Sequence, residues 1–402
     1  MNKRAVAILI AGFFTVFSGF SIRYAYGLLL PHMISSLAIT KAEAGIIFLC
    51  YFLAYTIFSP LLGLLVDRFD ARRLLTLFVA LLGTGAYLLS MSATIIQASL
   101  FFALAGIGHA ACWTPMVTVV QRWVSEKHRG TALAIIDLGS ASGIALGSIV
   151  LPFVVEAYSW RAGWVSLGVL AFFVAGLDYF IVRSYPESDI KARKTMAVPF
   201  VRTPVRDVYR VLFQDKRLWI IGFSYLLIGF SILIPFAFLV TFANQELEMP
   251  YKSATGLIAV SAVAGVFGKL ALSRLSDRVG RIKVMMLCGM FAAVGGLGLA
   301  FSQGYFGLAF FSAVFGIGYG ATWPVYAASA RDFFPSAHAG SVIGLWTLFL
   351  GVGSGLSPVV TGWMIDATGR FVWAFALSAV SAVMSLSLLL PLVREASKAK
   401  PS

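Results

Sequence analysis

Charge is scarce in this sequence. Asp, Glu, Lys and Arg make up 12% of its 402 residues, against roughly 25% in soluble chains, and the mean hydropathy of +0.89 excludes a cytosolic enzyme. Cysteine is nearly missing. Cys50, Cys112 and Cys288 lie far apart inside apolar runs, which excludes a disulfide framework or zinc site and leaves buried thiols. No Walker segment, metal-ligand cluster or hydrolytic triad occurs, so neither catalysis nor a cofactor is expected and the energy source is a gradient. A cleavable secretory signal is not expected either, because the first apolar run, from Ala5, is too long for one.

Long apolar runs fill the chain instead. At about 20 to 25 residues per membrane helix plus short loops, this length holds about twelve spans and no separate soluble domain. The expected fold is an all-α polytopic membrane protein. Helices are expected near 5–34, 41–66, 73–92, 95–122, 130–154 and 160–183, then near 218–243, 250–275, 282–302, 304–330, 339–364 and 370–394. The 38 Gly and 34 Phe suit helices packed in lipid, where small residues let backbones approach.

The formal charge of +14 is explained by topology rather than by nucleic acid. Lys3 and Arg4, Arg68 to Arg73, Arg122 to Arg129, Arg183 to Arg217, Arg274 to Lys283, Arg331, and Arg394 to Lys400 fall in alternate loops. The other loops hold only Lys41, Arg161, Lys252 and Arg370. The positive-inside rule places the first set, and both termini, in the cytoplasm; a bacterial inner membrane is the expected location. Three segments follow: a six-helix bundle over 1–183, a cytoplasmic linker over 184–217, and a second bundle over 218–402. In the linker Val205, Val208, Val211 and Leu212 share one helical side, while Arg202, Arg206 and Arg210 repeat every four residues. That pattern fits a solvated tether or an amphipathic helix on the membrane surface.

The two halves repeat at an offset of 210. Asp67-Arg68 falls on Asp277-Arg278, Gly108 on Gly318, Trp113 on Trp323, Gly130 on Gly340 and Gly143 on Gly353. A duplicated six-helix unit of constant orientation implies two pseudo-symmetric bundles about an axis along the membrane normal, with substrate held between them and alternating access by rocking.

After span 2 the chain reads Gly63-Leu-Leu-Val-Asp67-Arg68-Phe-Asp70-Ala-Arg72-Arg73, and after span 8 Ser273-Arg274-Leu-Ser-Asp277-Arg278-Val-Gly280-Arg281-Ile-Lys283. Both resemble the loop motif GxxxD(R/K)xG(R/K)(R/K) of the major facilitator superfamily, with Asp70 in place of Gly in the first copy and Ser273 opening the second. An acid beside several bases at a helix terminus forms a charge-and-dipole latch that breaks as bundles rock. Gly63, Asp67, Arg68, Asp277, Arg278, Gly280 and Arg281 are therefore the candidate gating residues.

Ionisable groups inside the bilayer cost several kcal/mol and mark a pathway. The candidates are Arg23, His109, Asp137, Asp178 and Lys269. Arg23 and Lys269, one in each half, lie within about 10 Å of the midplane by helical rise, and two fixed cations call for an anion, with aromatic hydroxyls completing its hydrogen bonds. Asp137 reads as the proton site or as a counter-ion to one of the cations. Asp178 lies close to the interface and reads as structural. His109 reads as a packed residue or a proton relay. The aromatics nearest the expected cavity are Tyr24, Tyr26, Trp113, Tyr319, Trp323, Tyr326 and Trp346; with Arg23, His109 and Lys269 they make up the candidate substrate-binding set. Packing explains aromatic stripes equally well, but buried hydroxyls and indole N–H groups need partners.

Two segments resemble the monocarboxylate transporter branch: Trp123 to Gly143, with its basic cluster followed by Gly139-Ser-x-x-Gly143, and Phe20 to Gly27 around Arg23. Lys269, four residues before Ser273, stands where that family places its substrate-binding Arg. The resemblance implies proton-coupled symport of a short monocarboxylate, with Arg23 and Lys269 serving the carboxylate. Gly265 stands where animal members carry an Asp, which moves the expected proton site to Asp137. The neighbouring oxalate and formate exchangers carry a base in span 11 that Gly344-Leu-Trp346-Thr-Leu-Phe lacks, and drug antiporters an Arg in span 4 that Leu100 to Gly106 lacks. The alternatives are an organic anion exchanger or an exporter of another small molecule. The expected partners are a small anionic substrate, protons and the lipid bilayer, with no nucleic acid, and the chain is expected to act as a monomer.

Overall fold

A computed structural model describes residues 3–185, 210, 212–335 and 338–398. Twelve segments among them are long and apolar enough to cross a membrane, and the chain is an integral multi-pass membrane protein. The helices are α1 (Lys3–Leu37), α2 (Lys41–Arg68), α3 (Ala71–Leu89), α4 (Ile95–His109), α5 (Thr114–Trp123), α6 (Arg129–Ala157), α7 (Trp160–Ile181), α8 (Lys216–Thr241), α9 (Tyr251–Val279), α10 (Arg281–Phe301), α11 (Tyr305–Phe333), α12 (Ala339–Thr368) and α13 (Val372–Lys398). In lipid the backbone must satisfy its own hydrogen bonds, so an apolar run this long has no alternative to a helix.

Local chemistry sets the ends. Asp70, Thr94, Ser159 and Asp215 cap α3, α4, α7 and α8 by accepting a backbone N–H from inside the first turn. Gly280, at φ +96°, makes the break between α9 and α10, a backbone region that disfavours any side chain. The single helix expected near 95–122 is broken at Ala110–Trp113. Pro115 lacks an N–H, and its ring crowds the carbonyl of Ala111 four residues back.

The chain forms two compact units, residues 1–25 with 50–204 and residues 26–49 with 205–402. In the first, α3 packs on α4 and α7; in the second, α9 packs on α11, α8 on α12 and α13, and α10 on α11 and α13. The division therefore differs from the expected boundary at the linker. Residues 26–49 join the second unit because Gly27 lies directly on the carbonyl of Phe236 and Tyr251 Oη donates to the Leu28 carbonyl at 2.7 Å. In addition, the backbone N–H groups of Lys41 and Ala42 donate to the Asp366 carboxylate at 3.1 and 2.8 Å. That carboxylate sits at the positive end of α2, a favourable charge–dipole contact. The amphipathic helix expected in the linker falls largely on residues 186–209 and 211, outside the described residues.

The duplication is visible atom by atom. A methyl group at Gly106 would strike the Tyr51 carbonyl, and one at Gly316, 210 residues on, would strike the Ser261 carbonyl, again 210 on. Gly85 abuts Ala105, and Gly295 abuts Phe315, at the same offset. These glycines let helix backbones touch, which is how helices associate where lipid removes the hydrophobic drive.

Candidate functional site

The first unit holds a buried polar cluster. Arg23 on α1 is 4% exposed and His109, the last residue of α4, is 0% exposed. Between them stands Tyr51 of α2: Arg23 Nε donates to its hydroxyl at 3.3 Å, and that hydroxyl meets His109 Nδ1 at 2.6 Å. The break after His109 ends α4 at this level. Gly19 on α1 gives the imidazole room, since a Cβ there would lie 3.1 Å from His109 Cε1 and 3.0 Å from Cys112 Sγ.

Four rings surround the guanidinium. Tyr55 lies 4.2 Å, Phe52 5.2 Å, Phe20 5.3 Å and Tyr51 5.6 Å from its central carbon. Desolvated cation–π contacts contribute up to about 2 kcal/mol each, which makes a buried cation tolerable without neutralising it. One guanidinium nitrogen, Nη2, is buried with no hydrogen-bond partner, and such a donor is costly unless something accepts from it. The site thus holds a fixed positive charge and a buried, unpaired hydrogen-bond donor, the two features a carboxylate engages.

Tyr51, Tyr55 and Phe52 were not anticipated from the sequence. A signal was there: Tyr51 and Tyr55 are one helical turn apart on α2 and so share a face. Tyr24 is buried beside Arg23 and stacks on Phe20, with ring centroids 6.1 Å apart. Trp113 is half-buried at the start of α5. Asp137 is half-buried on α6, where the Ser140 hydroxyl donates to its backbone carbonyl at 2.7 Å and faces its carboxylate at 3.4 Å.

Asp178, three residues before the end of α7, is enclosed by neighbouring helices. It is 0% exposed, and Thr15 Oγ1 lies 2.9 Å from both of its carboxyl oxygens. Its distance from the end of its own helix is short, but α1 runs past it and covers it.

The remaining candidates belong to the second unit. Lys269 is half-buried on α9. One turn earlier, Gly265 faces α11, where a Cβ would be 3.4 Å from the Tyr319 ring and 3.3 Å from the Gly316 carbonyl. Tyr319 and Trp323, both half-buried, meet edge to face at 5.3 Å. Tyr26 is committed elsewhere: its hydroxyl donates to the Ala44 carbonyl at 2.7 Å and its ring stacks on Phe48. Tyr326 and Trp346 are both engaged within the second unit. The Tyr326 hydroxyl bonds Ser224 at 2.7 Å while its ring stacks on Tyr225 at 4.3 Å, and Trp346 donates to the Leu218 carbonyl at 2.9 Å. Both are 1% exposed, and buried polar atoms so engaged serve packing.

The loop motif is resolved best in its second copy. Arg281 pairs with Asp277 at 2.6 Å and reaches Asp332, at the end of α11, at 3.4 Å. Arg278 is exposed. Asp70, at the position matching Gly280, is the α3 cap and accepts from the Ser184 hydroxyl at 2.7 Å, so the substitution replaces a glycine break with a side-chain cap. Gly63 lies inside α2, half-buried; the side chains of Asp67 and Arg68 are outside the described ones. The three cysteines are unpaired, and Cys50 is half-buried rather than buried.

A family description, the Major Facilitator Superfamily, matches residues 9–301 and 254–402. The hexuronate transporter of Bacillus subtilis is 23% identical, covering 92% of this chain and 90% of its own length. Monocarboxylate transporter 12-B of Danio rerio is 26% identical, covering 83% and 75%. Among solved structures, the nucleoside transporter NupG superposes with a TM-score of 0.77 at 16% identity, covering 98% of this chain and 99% of that one.

Proposed function

The chain belongs to the Major Facilitator Superfamily, a secondary transporter of small organic anions and solutes, and from that premise we propose that it carries a monocarboxylate together with protons by alternating access. The observation that carries the reading is Arg23, a buried cation ringed by aromatic faces with one donor unpartnered. A carboxylate both neutralises that charge and accepts from that donor. Lys269, in the second unit, stays a further candidate cation, and Asp137 the candidate for proton coupling expected from the sequence. Two relatives support the substrate class, since a hexuronate and a monocarboxylate both present a single carboxylate. The expected setting is a bacterial inner membrane with both termini cytoplasmic, the arrangement the basic loops favour.

Uptake of labelled lactate, pyruvate, acetate, formate, oxalate and glucuronate into proteoliposomes tests the reading. Acid outside should drive accumulation of a monoanion. Uptake that requires internal counter-anion and ignores the pH gradient would replace the symporter with an exchanger. If no member of the panel moves, the monocarboxylate assignment fails.

A further inference from the structure

Asp178 on α7 is a carboxyl group inside a lipid-facing bundle, and its surroundings have the wrong composition for an anion. Toward the end of α7, Arg4 of α1 and Arg183 line a cavity with Phe180 and Ile181. From α1 comes Thr15, whose hydroxyl lies 2.9 Å from both carboxyl oxygens and 2.9 Å from the Ala11 carbonyl. From the turn between α4 and α5 comes the Cys112 thiol, fully buried and within electrostatic range of Asp178 and of Arg23. The only titratable groups of α3 are Arg72, Arg73 and Tyr87, and the Arg72 guanidinium is stacked on Tyr179, one residue along, at 3.9 Å. On helix α6 the acid is Asp137, which faces the Ser140 hydroxyl at 3.4 Å. Among the described residues no cation pairs with Asp178.

A carboxylate has four lone-pair directions and no proton, whereas the one hydroxyl facing it has a single hydrogen shared among three acceptors. A bare anion left that way in a dry interior is strongly disfavoured. One added proton completes the count: the carboxyl O–H donates to Thr15 Oγ1, and Thr15 donates to Ala11. Asp178 is also connected to the anion site. Thr15, Gly19 and Arg23 are successive turns of α1, and Gly19 touches both Cys112 and His109.

We propose that Asp178, hydrogen-bonded to Thr15, is the residue that takes up and releases the coupling proton; this rests on the symport reading above. Charge balance supports it. With a proton on Asp178 and a carboxylate against Arg23 the loaded unit is neutral, and after both leave, Asp178 anion and Arg23 cation again sum to zero, so neither form carries net charge through the membrane. Thr15 and Arg23 are about 12 Å apart along α1 by helical rise. Unit charges about 12 Å apart at an effective dielectric of about 20 alter each other's binding roughly tenfold. The linkage is reciprocal: the proton raises anion affinity about tenfold, and the anion tightens the proton equally.

Asp178→Asn tests this, because the amide keeps a donor for Thr15 but cannot release a proton. Wild-type anion KM should rise about tenfold from acid to alkaline pH, while Asp178→Asn should show a flat, low KM, retain anion counterflow and lose acid-driven accumulation. Accumulation by Asp178→Asn at the wild-type level would overturn the proposal. If wild type itself shows no acid-driven uptake, it is the symport reading that fails. Infrared spectra of the purified protein then decide separately whether a protonated carboxyl band at neutral pH disappears in Asp178→Asn; a band that persists unchanged overturns the assignment. Should the Asn variant not insert, Thr15→Val removes the one hydroxyl partner of Asp178 among the described residues and should displace the pH profile of KM, and an unmoved profile overturns the proposal.

Discussion

Replacing Arg23 with Met separates a binding cation from a structural one. The Met side chain is of similar length and can pack against the same rings of Phe20, Phe52 and Tyr55. The substitution removes one hydrogen bond of 3.3 Å to Tyr51 and four cation–π contacts between 4.2 and 5.6 Å, contacts that contribute roughly 0.5–2 kcal/mol each. Against this, it relieves the several kcal/mol needed to hold a charged group away from water in the bilayer. The two sides nearly offset, as they do when buried charges are exchanged for apolar groups of similar volume, and thermal stability is expected within about 2 kcal/mol of wild type. Anion binding has no such compensation. Truncating one member of a buried charge pair costs about 2–5 kcal/mol, equivalent to roughly 30-fold to several thousandfold in affinity. Equilibrium binding of the labelled anion to purified protein, alongside its thermal unfolding curve, reads both numbers. Affinity within threefold of wild type, or a large stability loss with affinity intact, would refute the assignment and make Arg23 a packing residue.

Tyr51→Phe removes the hydroxyl that joins Arg23 Nε to His109 Nδ1. The buried groups left unpaired should cost about 1–3 kcal/mol of stability, and anion affinity should fall in the binding assay. Gly106→Ala would force a methyl against the Tyr51 carbonyl, whereas Gly147→Ala meets nothing within 4 Å. The first should lose about 1–3 kcal/mol in thermal unfolding and displace Tyr51, and the second should be silent in both stability and uptake. At the start of α8, partial burial of Asp215 works to raise its proton affinity, but hydrogen bonds and charge from Arg217 outweigh it and hold the carboxyl below its ordinary value. Its capping contribution is therefore present above the ordinary carboxylate range and fades as pH falls through the folded value. Asp215→Ala should cost about 1 kcal/mol at neutral pH, a difference that narrows in acid unfolding curves.

The spans and the repeat were legible because each is written in a long stretch of chain. Membrane-length apolar runs leave the backbone one solution, and the matching glycines at an offset of 210 reappear as matching carbonyl contacts. Arg23 and His109 were legible because charge in an apolar run is conspicuous. Tyr51 was not, since a tyrosine in an aromatic-rich helix looks the same whether it packs or bridges. The break in span 4 was missed although Pro115 is plain in the sequence, because proline inside membrane helices is often accommodated; Pro60 and Pro152 lie within unbroken α2 and α6. The enclosure of Asp178 was not legible, because it is set by a neighbour 163 positions away in sequence. The partners of Tyr326 and Trp346 were not legible either, since span number says nothing about the side of a helix a residue occupies.

The duplicated glycines and the unduplicated charge carry a further lesson. Where the first unit has Arg23, Tyr51 and His109, the second has Leu233, Ser261 and Tyr319 at the same offset, on helices that touch through equivalent glycines. With anion selectivity placed on Arg23 as proposed above, the joints are duplicated and the charge is not. A chain built this way can change its cargo by altering a handful of side chains while the glycine joints of both halves stay intact, so relatives of low identity are expected to share their moving parts and differ in what they carry.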